Sequence, residues 1–297
     1  MFFVMSKILA TDLDGTLMFP KCITHCIPRK NVKFLRKWID AGNKLVLITS
    51  RSAEFVQKLY KEIDRDFDVI ACTSSQIFHN REVIYEKTIP NEAITRIINE
   101  IIKKYNPIGL LLTSKKYPCL VYDTGRAGFI LKVLYKLWYY FQFAYREPLT
   151  ISSKKSNAIV EEELKNGEIF KIMTFFGFNK KNGELSKEIN KELRQNYPEI
   201  ESSWSLIVNE LTPLDCNKGA GLERYCSLLN IDKKDVIVVG DSGNDITMFE
   251  KFHENSYVMG HAYPSVKKYA RYSINRVYHL EKLLNKLEKE KGATNNE

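Results

Sequence analysis

Apolar residues recur along this chain with two periods. Near-continuous apolar runs at Val4–Thr11, Leu45–Ile48, Val69–Cys72 and Val236–Val239 predict strands buried on both faces. Between them the spacing is helical. Val32, Phe34, Leu35, Trp38 and Ile39 share one side of Pro28–Ala41, and Gly42 stops that helix. Phe55, Val56, Leu59 and Ile63 do the same within Ser52–Ile63. Towards the C-terminus, Leu222, Cys226 and Leu229 mark a helix, Ile246–Phe252 another, Ser256–Met259 a strand and Tyr278–Lys289 an amphipathic helix, before a tail, KGATNNE, expected to fray. Strands alternating with short helices predict a doubly wound, Rossmann-like α/β core with a parallel sheet.

The middle of the chain breaks this rhythm. From about Arg81 to Ser205 the segments are longer, more basic and more aromatic. Ile84–Lys87, Ile108–Thr113 and Phe170–Phe176 read as strands, Ala93–Lys104 and Ser186–Asn196 as helices. The expected organisation is a core formed by residues 1–80 and 208–297, with an α+β domain, residues 81–207, inserted between them. A length of 297 residues fits two domains, and no internal repeat or low-complexity tract is visible.

Charge and cysteine usage narrow the function classes. The formal net charge of +9 suits an anionic partner, such as a phosphorylated metabolite, a nucleic acid or an acidic membrane, or else reflects helix faces solvated by Lys and Arg. Six scattered cysteines do not make a disulfide framework, and Cys72 and Cys226 read as small core residues. The N-terminal MFFVMSKILATD reads as a leading strand rather than a signal peptide, and no apolar run reaches the roughly 18 residues of a membrane span. A soluble cytoplasmic protein of undetermined oligomeric state is the expectation.

Three apolar strands end in a polar residue: Asp12, Thr49 and Asp241. Open α/β sheets bind ligands beyond the carboxyl ends of their strands, so these side chains can meet. In ILATDLDGTL, Asp12 and Asp14 crowd two carboxylates at one strand end. A hard divalent cation with oxygen ligands would offset the repulsion, with Mg²⁺ the usual partner of phosphate, while an Asx-type turn is the competing explanation. GDSGND places Asp241 and Asp245 at a second strand-to-helix junction, where helix capping accounts for Asp245 or Ser242 better than for Asp241. Lys218 stands near a helix start, suited to an anion or simply solvated. Thr49-Ser50-Arg51 offers hydroxyls and backbone N–H groups to phosphate oxygens, or an ordinary N-cap.

Taken in order, DLDGT at 12–16, the strand ending in Thr49, Lys218 in NKGAGL and GDSGND at 240–245 resemble the four motifs of the haloacid dehalogenase-like phosphohydrolases. The first 80 and last 90 or so residues look like the Cof-type subfamily, with the middle in the place of its large cap domain. The resemblance implies that Asp12 is the nucleophile, forming an aspartyl-phosphate, and that Asp14 is the general acid and then the base. It implies Mg²⁺ held by Asp12, the backbone carbonyl of Asp14 and Asp241, with Asp245 acting through water. Thr49, Ser50, Lys218 and Asn244 would hold the phosphoryl group of a small phosphorylated substrate. Three departures bear on substrate placement rather than on the reaction. Ser50 replaces the Gly of a Thr-Gly-Arg sequence, Ser74-Ser75-Gln76 stands where Asn-Gly is common, and an acidic-Gly pair is missing around Asn275–Tyr278.

The expected activity is hydrolysis of small phosphorylated metabolites, sugar phosphates in particular. A phosphomutase of the same fold is the near alternative, and a non-catalytic protein binding nucleic acid or membrane the distant one. No nucleic-acid module accompanies the basic and aromatic residues, so no nucleic-acid partner is expected. KCITHC, with Cys22, His25 and Cys26, has zinc-ligand residue types but no second cluster to complete four ligands, and as a loop after Asp12 it would shape the mouth of the site. Phe129–Tyr145 is unusually aromatic and suits the apolar face of the cap's own core, a substrate-facing helix, a dimer surface or an interfacial helix.

Overall fold

β1 (Ile8–Asp12) is the centre of the molecule, flanked by β2 (Lys44–Ile48) on one side and β11 (Val236–Gly240) on the other, both parallel to it. The computed structural model describes residues 7–124, 143–146, 154–176, 180–205 and 208–284. The larger sheet has eight strands in the order β13-β12-β11-β1-β2-β3-β4-β5. Here β3 is Asp68–Ala71, β4 Gln76–His79, β5 Glu82–Glu86, β12 Ser256–Met259 and β13 Tyr272–Ile274. The six strands from β13 to β3 run parallel, and β4 and β5 extend them as an antiparallel hairpin.

Alternation along the strands sends side chains into two cores. Leu9, Leu45, Leu47, Ile237 and Val239 face helices α1 (Arg29–Asp40) and α2 (Ala53–Ile63). Ile8, Ala10, Val46, Ile48, Val236 and Val238 face α6 (Lys218–Leu228), α7 (Ile246–Lys251) and α8 (Pro264–Lys267). Because both faces are covered, these strands carry apolar residues throughout, which is why they were readable as continuous runs. The chain winds from β1 through β2 to β3 in one direction and, after the inserted domain, from β11 through β12 to β13 in the other. The reversal lies between β1 and β11, and a ligand site is expected beyond their carboxyl ends.

The inserted domain is a five-stranded antiparallel sheet, β7-β6-β8-β10-β9, backed by α3 (Asn91–Tyr105), α4 (Lys154–Asn166) and α5 (Lys180–Asn196). Its strands are β6 Gly109–Ser114, β7 Leu120–Asp123, β8 Ile169–Phe175, β9 Ile200–Ser205 and β10 Val208–Pro213. Sheet membership differs from the division at 80/81 and 207/208. β5 is hydrogen-bonded to β4 in the larger sheet, and β10 lies between β8 and β9 in the smaller one. The Asn80-Arg81 turn, with both residues at positive φ, folds β5 back along β4 instead of releasing the chain into the second domain. Most of Phe129–Tyr145 lies outside the described residues, as do the N-terminal part of Val4–Thr11, the tail and the end of Tyr278–Lys289. Residues 280–284 are helical.

The two domains are joined by more than their two connections. Phe170 from β8 and Tyr145 are buried in the core cluster around α1 and α2. The Tyr145 hydroxyl donates to Cys26 O at 3.2 Å and accepts from Cys22 N–H at 3.0 Å, and Cys26 Sγ donates to Ala144 O at 3.2 Å. The KCITHC loop is therefore tied to the segment at 143–146, with its two thiols and His25 directed at separate partners: His25 Nδ1 is paired with Thr24 Oγ1 at 2.9 Å, and Cys22 Sγ with Pro20 O at 3.7 Å.

Candidate active site

Past Asp12 the chain leaves the strand abruptly. Leu13–Leu17 forms a tight turn in which Asp14 keeps an extended conformation and Gly15 takes φ +82°. A Cβ on Gly15 would sit 2.4 Å from Asp241 Oδ2, so glycine here serves both the backbone turn and the approach of the second acidic loop. Thr16 then reaches across to donate to Asp241 Oδ1 at 2.8 Å. On that second loop, Asp245 folds back on its own strand end: its Oδ2 accepts from the N–H groups of Asp241 and Ser242, each at 2.9 Å. Gly240 makes this possible, since a Cβ there would lie 2.5 Å from Asp245 Cγ.

Lys218 is the first residue of α6, whose N-cap Asn217 accepts from Ala220 N–H at 2.9 Å. Its side chain is 1% exposed, and its ammonium donates to Asp12 Oδ1 and to Asp245 Oδ1, each at 2.6 Å. The helix start thus does not leave a solvated lysine; it plants a cation between two buried carboxylates. Asp12, Asp241 and Asp245 place ligand oxygens within 4.8 Å of one another. Three carboxylates against one ammonium leave two negative charges uncompensated. The electrostatics record this excess. Burial pushes the Asp12 carboxyl well above its ordinary pKa, Lys218 opposes the shift, and Asp245 and Asp241 add to it. Asp241 is also raised, by burial and then by Asp245. Burial works against the Lys218 ammonium, but Asp12 and Asp245 outweigh it and hold its pKa above the ordinary lysine value.

Asp12 Oδ2 is buried and has no hydrogen-bond partner among the described residues. An orphaned carboxylate oxygen, in a site with two surplus negative charges and oxygen donors only, fits a hard divalent cation.

Asp14 faces elsewhere. Arg51 holds it with two nearly parallel bonds, Nε to Oδ2 at 2.5 Å and Nη2 to Oδ1 at 2.8 Å, while Nη1 donates to Tyr145 O at 3.0 Å. Burial alone would raise the Asp14 pKa, but the hydrogen bonds and charge of Arg51 outweigh it and hold the carboxyl below its usual range. Thr49 is buried at the end of β2, and its Oγ1 accepts from Arg51 N–H at 3.1 Å. Ser50 lies beside it, and its carbonyl accepts from Lys171 of β8. Asn244 stays within its own turn, its Oδ1 accepting from Ser242 Oγ at 2.7 Å.

The structure therefore brings Asp12, Asp241, Asp245 and Lys218 into one cluster, with Asp14, Thr49 and Ser50 joined through Arg51 and its neighbours. Asn244 makes no contact with that cluster through its recorded hydrogen bond. Sequence reasoning named Arg51 within Thr49-Ser50-Arg51 but gave its side chain no role, and passed over Lys171 and Glu210. Glu210, on β10, is buried and accepts from Thr73 Oγ1 at 3.2 Å. A lone Lys inside the apolar strand IFKIMTF was the available signal for Lys171, because an unpaired charge is rarely buried.

A doubly wound core with crossing carboxylates at its switch point and a second domain closing over it defines a class of hydrolases. The family model of the haloacid dehalogenase-like hydrolases matches residues 9–279, and the chain belongs to that family, in its Cof-type group. It is similar to an uncharacterized protein of Mycoplasma capricolum, 27% identical over 93% of this chain and 100% of the relative. It also resembles the 5-amino-6-(5-phospho-D-ribitylamino)uracil phosphatase YcsE of Bacillus subtilis, 24% identical over 90% of this chain and 88% of the relative. Among solved structures, a HAD/COF-like hydrolase from Plasmodium vivax superposes with a TM-score of 0.75 at 20% identity, covering 95% of this chain and 96% of the other. The subclass IIB sugar phosphatase BT4131 superposes with a TM-score of 0.71 at 21% identity, covering 94% and 99%. No helix among the described residues is long and apolar enough to cross a membrane.

Proposed function

We propose that the protein is a Mg²⁺-dependent phosphatase of small phosphorylated metabolites, sugar phosphates foremost, working through an aspartyl-phosphate on Asp12. The observation that carries this reading is the asymmetry of Asp12: one oxygen is held by Lys218, and the other is buried without a partner. Asp12, the backbone carbonyl of Asp14 and Asp241 would hold the metal, with Asp245 joining through water because both its oxygens already have protein partners. Mg²⁺ bound there would neutralise charge on the phosphoryl group and offset the crowding of the carboxylates.

The chain's own groups supply the rest. Lys218 orients the nucleophilic carboxylate and keeps Asp12 and Asp245 from repelling one another. Because Thr49 Oγ1 accepts from Arg51, its own hydroxyl hydrogen is left to donate to a phosphoryl oxygen, and the turn at Ser50 adds backbone donors. Asn244 would turn from Ser242 to the phosphate or the metal's waters. Asp14 must deliver a proton to the leaving oxygen and then take one from water. Its pairing with Arg51 is the state suited to the second task, so the first requires the guanidinium to release it. The named activities of the relatives support the substrate class: YcsE and the Escherichia coli pyridoxal phosphate phosphatase YbhA both act on a monoester of a small polar molecule.

The test is release of inorganic phosphate from an aryl phosphate and a panel of sugar, nucleotide and cofactor phosphates, with Mg²⁺ and with chelator. Metal-dependent release in step with substrate loss is expected. A sugar phosphate isomer formed without free phosphate would point to a phosphomutase instead, and salt-sensitive nucleic-acid binding without turnover would refute the enzymatic reading.

A further inference from the structure

The cap domain places one buried cation beside the site that forms no ion pair among the described residues. Lys171 sits on β8 between Phe170, buried in the core beneath, and Ile172, buried in the cap's own core. Lys171 is itself only 5% exposed. Its Nζ donates to Ser50 O, its one hydrogen bond among the described residues, and it forms no ion pair among them. Lys218, by contrast, is paired with Asp12 and Asp245, and Arg51 with Asp14. Glu210 of the neighbouring β10 points its carboxylate to Thr73 Oγ1, at 3.2 Å, and forms no ion pair with Lys171.

A buried ammonium resting on a neutral carbonyl is costly, and an apolar residue in its place would serve stability better. The position explains what the cost is for. Ser50 follows Thr49 in the turn proposed above to hold the phosphoryl group, and Thr73 N–H donates to Thr49 O at 3.0 Å, so the cap's Lys171 and Glu210 both close on this one turn.

We propose that Lys171 is a substrate-binding residue which holds the substrate's transferring phosphate from the cap side, the anion being the ion-pair partner that its ammonium does not have among the described residues. This rests on the phosphatase reading. The cap then recognises the phosphate itself, in addition to whatever it does for the leaving portion, and a charge-assisted contact to phosphate fixes the closed domain over a loaded site.

The experiment uses the full chain with Mg²⁺, as wild type, Lys171→Met and Lys171→Arg. Inorganic phosphate serves as competitive inhibitor of aryl phosphate hydrolysis and as ligand in thermal unfolding. Lys171→Met should raise KM and the Ki of phosphate together, by about 10- to 100-fold. Its Tm without phosphate should equal or exceed that of wild type, and the rise in Tm that phosphate gives the wild type should be lost. Lys171→Arg should recover much of the phosphate affinity. A lower Tm with unchanged Ki would show the lysine to be a structural tie between β8 and Ser50 and overturn the proposal. So would an unchanged Ki with KM raised only for substrates bearing a second anionic group, which would assign Lys171 to the leaving portion. A wild type with neither turnover nor a phosphate-dependent Tm would sink the phosphatase reading along with this one, whereas an active wild type beside a Lys171→Met variant with unchanged Ki and an undiminished phosphate-dependent rise in Tm would sink this one alone.

Discussion

Replacing Lys218 by Met removes the ammonium that Asp12 and Asp245 share at 2.6 Å and leaves a side chain of similar length. The two carboxylates, 6% and 0% exposed, then face each other with Asp241 close by and no counter-charge. Removing one partner of a buried ion pair costs about 3–5 kcal/mol, which for a chain of this size is a fall in Tm of roughly 6–20 °C. The loss should depend on pH. Asp12 has a folded-state pKa above its unfolded value, so its protonated form favours the fold at low pH, and that contribution disappears as pH rises through the folded pKa. With Lys218 gone the Asp12 pKa rises further, and a protonated Asp12 needs no cation. Measured by calorimetry with chelator, the Tm gap between wild type and variant should therefore be wide at pH 8 and narrow at pH 5. Mg²⁺ at pH 8 should narrow it too, by restoring positive charge to the cluster. A gap of less than a couple of degrees, or one indifferent to pH and metal, would refute the reasoning.

Gly15→Ala forces a Cβ to within 2.4 Å of Asp241 Oδ2 at φ +82°, so a stability loss of about 1–3 kcal/mol is expected together with weaker Mg²⁺ binding by titration calorimetry. Arg51→Gln releases Asp14 from the guanidinium that holds its pKa down, so the limb of the pH–rate profile set by Asp14 should move to higher pH. The same substitution removes stability that a depressed carboxyl contributes above its unfolded pKa and loses as pH falls, so the variant's Tm deficit should shrink in acid.

The strand ends were readable because a polar residue closing a fully apolar strand has few structural uses. Asp12, Thr49 and Asp241 each stood out that way, and the switch point between β1 and β11 brings two of them together. The pairing of Asp14 with Arg51 was not readable, because it depends on how two loops thirty-odd residues apart in sequence approach in space. The cap's polar strands were hidden for a different reason. β9 and β10 bury the polar Ser202 and Asn209, Ser202 Oγ donating to Asn190 Oδ1 at 2.7 Å and Asn209 Nδ2 to Ser186 O at 2.7 Å, so hydropathy carried no strand signal there. The edge strand β5 overlaps the strand read at Ile84–Lys87, but its partner β4, QIFH, is four residues long and polar at both ends, so the hairpin escaped notice.

The claim at the centre is that Asp12 itself accepts the phosphoryl group. Acid-quenching the enzyme during turnover with Mg²⁺, then mapping the phosphoryl label by peptide mass, tests it directly. The account predicts a label on the peptide containing Asp12 that appears with substrate, disappears as substrate is exhausted, and is absent, along with turnover, from Asp12→Asn. A label on another residue, or an Asp12→Asn variant that still releases phosphate at a comparable rate, would contradict it.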